Sequence, residues 1–199
     1  MKLQTLKFSL ALGAVALGMT LAAPLQAAPN ATVNATISSA SALSATKVTD
    51  MDFGVWLFTG LAAGQSITIT KPTTGDIDTV TGVVSTDAVN VLAQEISPAT
   101  TPAEVTVTIP GGGASGDVVV EMERGPISQF PNTNVQLSDI TYRTATELGE
   151  NALVEASAED VTITAGGGPE SVYFGGTITI GETIDAGLNS ASFEVTFEY

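Results

Sequence analysis

The sequence contains neither cysteine nor histidine. Without cysteine the chain has no disulfide and no thiol redox centre, so its fold depends on an apolar core and on backbone hydrogen bonds. Without histidine, Ser-His-Asp and Cys-His nucleophilic sites, histidine-rich zinc sites and histidine acid/base catalysis are impossible. These two absences exclude most hydrolase mechanisms.

Cations are also scarce, with six Lys and Arg against 21 Asp and Glu, which gives a formal net charge of −15. Proteins that bind nucleic acid need clustered cations to displace counterions from the phosphate backbone. The sequence therefore predicts no nucleic-acid partner and no attraction to anionic lipid. The charge provides solubility and mutual repulsion between molecules.

Long apolar runs are limited to the N-terminus. Lys2 and Lys7 precede an apolar run, and small residues follow it up to Ala27, which is the pattern of a signal peptide. We expect residues 1–27 to be cleaved off. The alternative is an uncleaved membrane anchor, but Pro24 closes the run before it reaches a comfortable spanning length.

Cleavage after Ala27 leaves residues 28–199, with four cations against 21 carboxylates and a formal charge of −17. No other stretch approaches the roughly 20 apolar residues of a helical membrane span. We therefore predict a secreted protein, exported through the periplasm to the exterior or the cell surface, without integral membrane association.

The mature sequence alternates short apolar and polar residues, is rich in Val, Ile and Thr, and is broken at intervals by Gly, Pro, Asn and Asp. This pattern is typical of β-strands with one buried face. The clearest examples are residues 31–37, 66–70, 104–109, 161–164, 177–180 and 192–199. Residues 104–122 are predicted to form a hairpin, and residues 145–154 at most a single helical turn.

About ten strands with little or no helix favour an all-β fold, an antiparallel two-sheet β-sandwich of immunoglobulin-like or pilin-like type. A closed barrel is the alternative. We expect residues 28–46 to form an N-terminal strand and linker, and residues 47–199 to form the sandwich domain. The apolar segments 53–58 and 118–120 should lie near the centre of the core, with Trp56 as an anchor.

Carboxylates are the remaining candidates for chemistry. Glu121 and Glu123 should share one strand face about 7 Å apart, a spacing that suits glycoside hydrolysis, but exposed strand faces often carry glutamate at alternate positions. Lys47 and Lys71, the mature lysines, are interpreted as solvated charges. We predict no enzymatic activity and no cofactor.

Two aspartate pairs offer oxygen ligands for a hard cation such as calcium: Asp76 with Asp78, and Asp50 with Asp52. Neither pair completes a known calcium loop, so they are weak metal candidates. Aspartates that stabilise turns are the favoured interpretation.

The two terminal strands carry the functional prediction. On the first strand Ala31, Val33, Ala35 and Ile37 share one face, and on the last strand Phe193, Val195, Phe197 and Tyr199 do the same. An extended first strand can add to the open sheet of a neighbouring copy and fill its groove with alternate side chains. The alternative is that it completes its own sheet.

The order of several motifs resembles an exported bacterial family of domains of unknown function (DUF4402-like), which is similar to secreted pilus subunits. The motifs are Ala31-x-Val33-x-Ala35-x-Ile37, Met51-Asp52-Phe53-Gly54, Gly64-x-x-Ile67-Thr68-Ile69, Gly175-Gly176-Thr177-Ile178 and Phe193-x-Val195-x-Phe197-x-Tyr199. The resemblance implies a leader, a β-sandwich and no known catalytic residues.

The sequence thus predicts a non-enzymatic structural protein, a subunit of a surface fibre, pilus or matrix that binds copies of itself by strand addition. The first alternative is a monomeric adhesive or ligand-binding module at the cell surface, which could contact host or matrix surfaces. The second is a small outer-membrane β-barrel, although membrane barrels need longer strands and girdles of aromatic residues.

Overall fold

A computed structural model describes residues 25–37, 43–58, 64–75, 79–82, 93–97, 101–109, 116–147, 149–165, 168–181 and 187–199. Within these ranges the protein is all-β, with two sheets and no helix, as the sequence predicts. The strands are β1 (Leu25–Ile37), β2 (Ser44–Thr49), β3 (Met51–Asp52), β4 (Val55–Phe58), β5 (Ile67–Lys71), β6 (Thr79–Gly82), β7 (Ala93–Ser97), β8 (Ala103–Thr108), β9 (Gly116–Ser128), β10 (Val135–Thr144), β11 (Asn151–Ala152), β12 (Ala158–Ala165), β13 (Glu170–Ile180) and β14 (Gly187–Glu198).

The first sheet follows the order β12-β9-β14-β1-β4-β7, and the short β3 pairs with β1 beside β4. The pairing of β1 with β14 is parallel, whereas the other pairings between described strands are antiparallel. This sheet is therefore mixed, and the expectation of a wholly antiparallel protein is wrong for this one pair.

The second sheet follows the order β11-β10-β13-β5-β6, and β8 joins β13 to β2. One edge of β13 pairs with β10 along most of its length. Its other edge pairs with β8 over residues 170–174 and with β5 over residues 176–180. Strand β2 begins at Ser44, inside the segment expected to be a linker.

Alternating burial produces the core. In β8 the side chains of Ala103, Val105 and Val107 are buried and the intervening residues are half-buried, as period-two patterning requires. The buried faces of the two sheets meet where the rings of Phe174 and Phe193 pack edge to face, with centroids 6.1 Å apart.

Trp56 is 3% exposed, and its indole N–H donates to the carbonyl oxygen of Phe53 at 2.7 Å, which confirms its expected role as a core anchor.

The predicted hairpin over residues 104–122 is wrong. Strand β8 belongs to the second sheet and β9 to the first, where β9 pairs with β12 and β14. The glycine-rich connection between them therefore joins the two sheets. The run 118–120 is also not wholly central, because Val120 is buried but Val119 is 55% exposed.

Lys71 was expected to be solvated, and this expectation is wrong. Its side chain is fully buried at the end of β5, where its ammonium group donates to the carbonyl oxygen of Gly75. The turn that follows β5 is held by hydrogen bonds to Thr73. Glu150, in the loop after β10, accepts from the backbone N–H of Thr73 at 2.5 Å and from its hydroxyl at 2.7 Å. Arg143 of β10 donates to the same hydroxyl at 3.3 Å.

A helix long and apolar enough to span a bilayer does not occur among the residues that the structure describes.

Candidate strand-assembly interface

The two terminal strands singled out from the sequence lie side by side. Strand β1 runs parallel to β14, with Ala31 opposite Ala191, Val33 opposite Phe193, and Ala35 opposite Val195. Sequence patterning predicts the buried Ala31, Val33, Phe193, Val195 and Phe197, but not that the two strands are partners.

Burial alternates along both strands. Ala31 and Val33 are fully buried on β1, Asn34 is exposed, and Ala35 is half-buried. The backbone of Ile37 pairs opposite Phe197, and its side chain lies outside the described set. On β14 the side chains of Phe193, Val195 and Phe197 are buried, whereas Tyr199, just after the strand, is 62% exposed.

The other edge of β1 is only partly covered. Residues 25–27 pair with β4 and residues 30–31 pair with β3. Residues 32–37 have no second strand partner among the described strands. The expectation that the first strand is an outermost ribbon is therefore wrong for its first half, which lies inside its own sheet.

The β1 side chains that the structure describes in the core, Ala31 and Val33, are small. Burial of one valine contributes roughly 1.5–3 kcal/mol, and an alanine contributes less. The larger apolar groups at this interface, Phe193 and Phe197, belong to β14. The attachment of β1 therefore depends mainly on its backbone ladder to β14, which a strand of the same sequence from another copy could form equally well.

The carboxylates considered for hydrolysis lie on the outer face of the first sheet. Glu121 and Glu123 are exposed on β9, with the buried Met122 between them. Glu121 lies opposite Asp160 of β12 on one side and Glu198 of β14 on the other. This is a row of like charges across three strands, and Glu121 and Glu198 line an open surface pocket together with Val119 and Tyr199.

The described aspartates of the metal candidates have local partners. Asp50 accepts a hydrogen bond from the Lys47 ammonium at 3.0 Å, and Asp52 accepts one from the backbone N–H of Gly54 at 2.8 Å. The second contact is an Asx turn, the favoured interpretation from sequence. Asp76 and Asp78 lie outside the described residues, and within those residues no group of three acidic side chains is arranged to hold a metal ion.

A buried arginine was missed. Arg124 of β9 counts in the sequence only as one of the four cations of residues 28–199, yet it is 7% exposed and lines a cavity between β9, β10 and the segment after β11. Its alternation with Val120 and Met122, which places all three on the inward face of one strand, is the signal that could have found it.

Comparison with protein-family models, with curated proteins and with solved structures gives no match. The resemblance to an exported bacterial family stays a prediction from the motifs.

Proposed function

We propose that the mature protein is a non-enzymatic, secreted structural subunit with a pilin-like sandwich fold, and that copies join by exchange of the N-terminal strand. The observation that carries this proposal is the continuous parallel ladder between β1 and β14. Strand β1 lies next to β14 in the first sheet. The same ladder forms whether β1 comes from the same chain or from a neighbour.

Two further observations support exchange. The described inward side chains of β1, Ala31 and Val33, are small, so few apolar groups leave the core with the strand. Its last residues, 32–37, are paired on one edge only among the described strands. Cleavage after Ala27 would remove residues 25–27, and with them the pairing of β1 to β4. The mature strand would then be held chiefly by β14.

A monomeric surface module is the second candidate. It is favoured by the position of residues 30–31, which lie between β14 and the β3 strand of the same chain. The two candidates share one fold and differ in whether β1 stays with its own chain at high concentration.

The test uses three forms of the protein: residues 28–199, residues 39–199, and a synthetic peptide of residues 28–38. We expect the shortened chain to bind the peptide, and concentrated 28–199 to form fibres visible by electron microscopy. The informative variant is Val33→Asp, because Val33 is fully buried, and its matched control is Asn34→Asp on the exposed face. The first should abolish both peptide binding and fibres, and the second should leave both intact.

If residues 28–199 remain monomeric at high concentration while the shortened chain still binds the peptide, the result favours the monomeric surface module over the fibre subunit. Equal effects of the two substitutions on peptide binding would refute the importance of the β1 ladder in both candidates.

A further inference from the structure

A second site lies beside β14, on the edge opposite β1, where Arg124 of β9 pairs with Val195. A cavity of about 220 Å³ is lined by residues of β9, of β10, and of β11 with the segment after it. The lining residues are Arg124, Asp139, Ile140, Ala152, Leu153 and Val154.

Arg124 is the cation of this cavity, and the backbone around it holds its side chain in place. Its Nε donates to the carbonyl oxygen of Leu153 at 3.1 Å, and its Nη1 donates to the carbonyl oxygen of Gly125 at 3.0 Å. The backbone N–H of Ala156 donates to the carbonyl oxygen of Arg124 itself at 3.0 Å. Both the main chain and the guanidinium are therefore fixed by the 153–156 segment.

Two carboxylates lie beside this arginine or its cavity, those of Glu155 and Asp139. Its nearest carboxylate, Glu155, is 3.8 Å from Nη1 and is 54% exposed. The Oδ2 atom of Asp139 accepts a hydrogen bond from the hydroxyl of Ser138 at 2.9 Å. Burial lowers the pKa of Arg124, and the nearby Glu155 partly offsets this, but a guanidinium stays protonated at neutral pH.

One terminal nitrogen has no acceptor. Among the described residues no group accepts a hydrogen bond from Nη2 of Arg124, and this atom is not among the fully buried atoms that lack a partner, so it remains accessible at the cavity. A guanidinium has five N–H donors in a planar fork, so the accessible Nη2 is a donor that a ligand in the cavity can use. If Arg124 served only to fasten the 153–156 segment to β9, its Nε and Nη1 atoms would be sufficient and Nη2 would not be needed.

Backbone strain is concentrated at the same place. Asp139, with φ of 48°, and Ala156, with φ of 54°, are the non-glycine residues with positive φ in the described part of the chain. Asp139 lies at the irregularity where the register of β10 shifts against β13. Strained backbone of this kind persists where the surrounding structure determines it, and it occurs often at binding sites.

We propose that this cavity is a binding site for the carboxylate group of a small ligand with a short apolar body, and that Arg124 holds the carboxylate through its outer edge. Ile140, Leu153 and Val154 supply the apolar walls. The cavity is smaller than the roughly 300–1,000 Å³ of drug-sized sites, so it fits a single acidic group with a few carbons. A free carboxylic acid and the C-terminal residue of a peptide share this chemistry.

The test compares matched charged and neutral ligands. Sodium butyrate is titrated into isotope-labelled protein beside butyramide, and acetyl-alanyl-valine beside its C-terminal amide, while the resonances of the Arg124 side chain and of the Val154 and Ala156 amides are followed. We expect saturable shifts with at least one carboxylate at a Kd of about 1 mM, and at least tenfold weaker binding of its neutral counterpart. Which acid binds more tightly distinguishes the two sources.

Variants separate binding from folding. Arg124→Gln should abolish binding, whereas Arg143→Gln, which removes an arginine stacked 5.0 Å from the centroid of the Tyr173 ring, should leave it unchanged. Val154→Glu tests the site without touching the hydrogen bonds of Arg124, since Val154 is 57% exposed, and should weaken binding by charge repulsion. Glu155→Gln removes a competing carboxylate and should tighten binding.

The proposal is overturned if butyrate and butyramide give equal shifts, if neither acid gives saturable shifts, or if Val154→Glu binds both acids as tightly as the unaltered chain. None of these outcomes bears on strand exchange, which involves a different part of the first sheet.

Discussion

Gly175 occupies the point where β13 changes partner from β8 to β5. A Cβ atom at this position would lie 2.5 Å from the carbonyl oxygen of Lys71, 2.9 Å from the carbonyl carbon of Pro72 and 2.9 Å from the hydroxyl of Thr141. Two of these neighbours are backbone atoms, which cannot rotate away. The absence of a side chain here allows the buried end of β5 to approach β13.

We therefore expect Gly175→Ala to lower the free energy of unfolding by about 1–3 kcal/mol, the usual range for overpacking. The control is Gly149→Ala, where a Cβ atom has no neighbour within 4 Å. Urea denaturation monitored by the fluorescence of Trp56 measures both. Equal midpoints for the two variants would show that the contact at Gly175 relaxes without cost.

Local sequence identifies which residues can be buried, but not which charged residue is buried by a distant strand. Lys71 precedes Pro72 and Gly75 in a turn, a context in which lysine is usually solvated. Its burial depends on Gly175, which is far away in the chain and close in space. Arg124 was missed for the same reason, since the 153–156 segment that encloses it follows an irregular path between β11 and β12.

At the scale of elements, the outer face of the first sheet places like charges opposite one another. Glu121 lies between Asp160 and Glu198, whereas Glu123 lies between Ala158 and Thr196. Opposed like charges destabilise neighbouring strands, and salt screens them.

Replacement of the central charge should therefore stabilise the sheet. We expect Glu121→Gln to raise the free energy of unfolding by roughly 0.5 kcal/mol at low ionic strength, with a smaller gain in 1 M salt. Glu123→Gln, which removes the same charge from a position without opposed carboxylates, should raise the free energy of unfolding by a smaller amount. Denaturation at the two ionic strengths measures the free energy of unfolding of both variants. An equal gain from both would mean that only the net charge matters.

The alternation of apolar and polar residues predicts where strands lie, but it does not predict which strands pair with each other. The buried faces of β5 up to Thr70, of β8, and of β14 over residues 190–198 match the sequence alternation. Alternation is a property of one strand, so it says nothing about its neighbour. The connection 110–115 looked like a hairpin turn because glycine and proline are common there, yet it links strands of different sheets.

At the scale of the whole molecule, the parallel pairing of the first and last strands fixes where the chain begins and ends. Residue 28 lies beside residue 188 and residue 37 beside residue 197. At about 3.3 Å per residue, residue 28 of β1 and residue 197 of β14 are therefore about 30 Å apart, at opposite ends of the paired strands.

This arrangement gives a mechanical prediction. Pulling on residues 28 and 199 draws the two strands past each other along their axes, which loads all of their hydrogen bonds together. Pulling on residues 28 and 190, which lie at the same end, breaks the bonds one after another. Because the chain has no cysteine, single cysteines can be introduced as handles for force spectroscopy. We expect a higher rupture force for the first geometry, and equal forces would contradict it.

The consequence reaches beyond one molecule. If β1 is exchanged between copies, the same parallel ladder becomes the joint between neighbours, and tension along a row of subunits passes through it lengthwise. Such a joint resists sliding through many weak bonds in parallel, so its strength comes from backbone geometry and tolerates wide variation in outward-facing side chains.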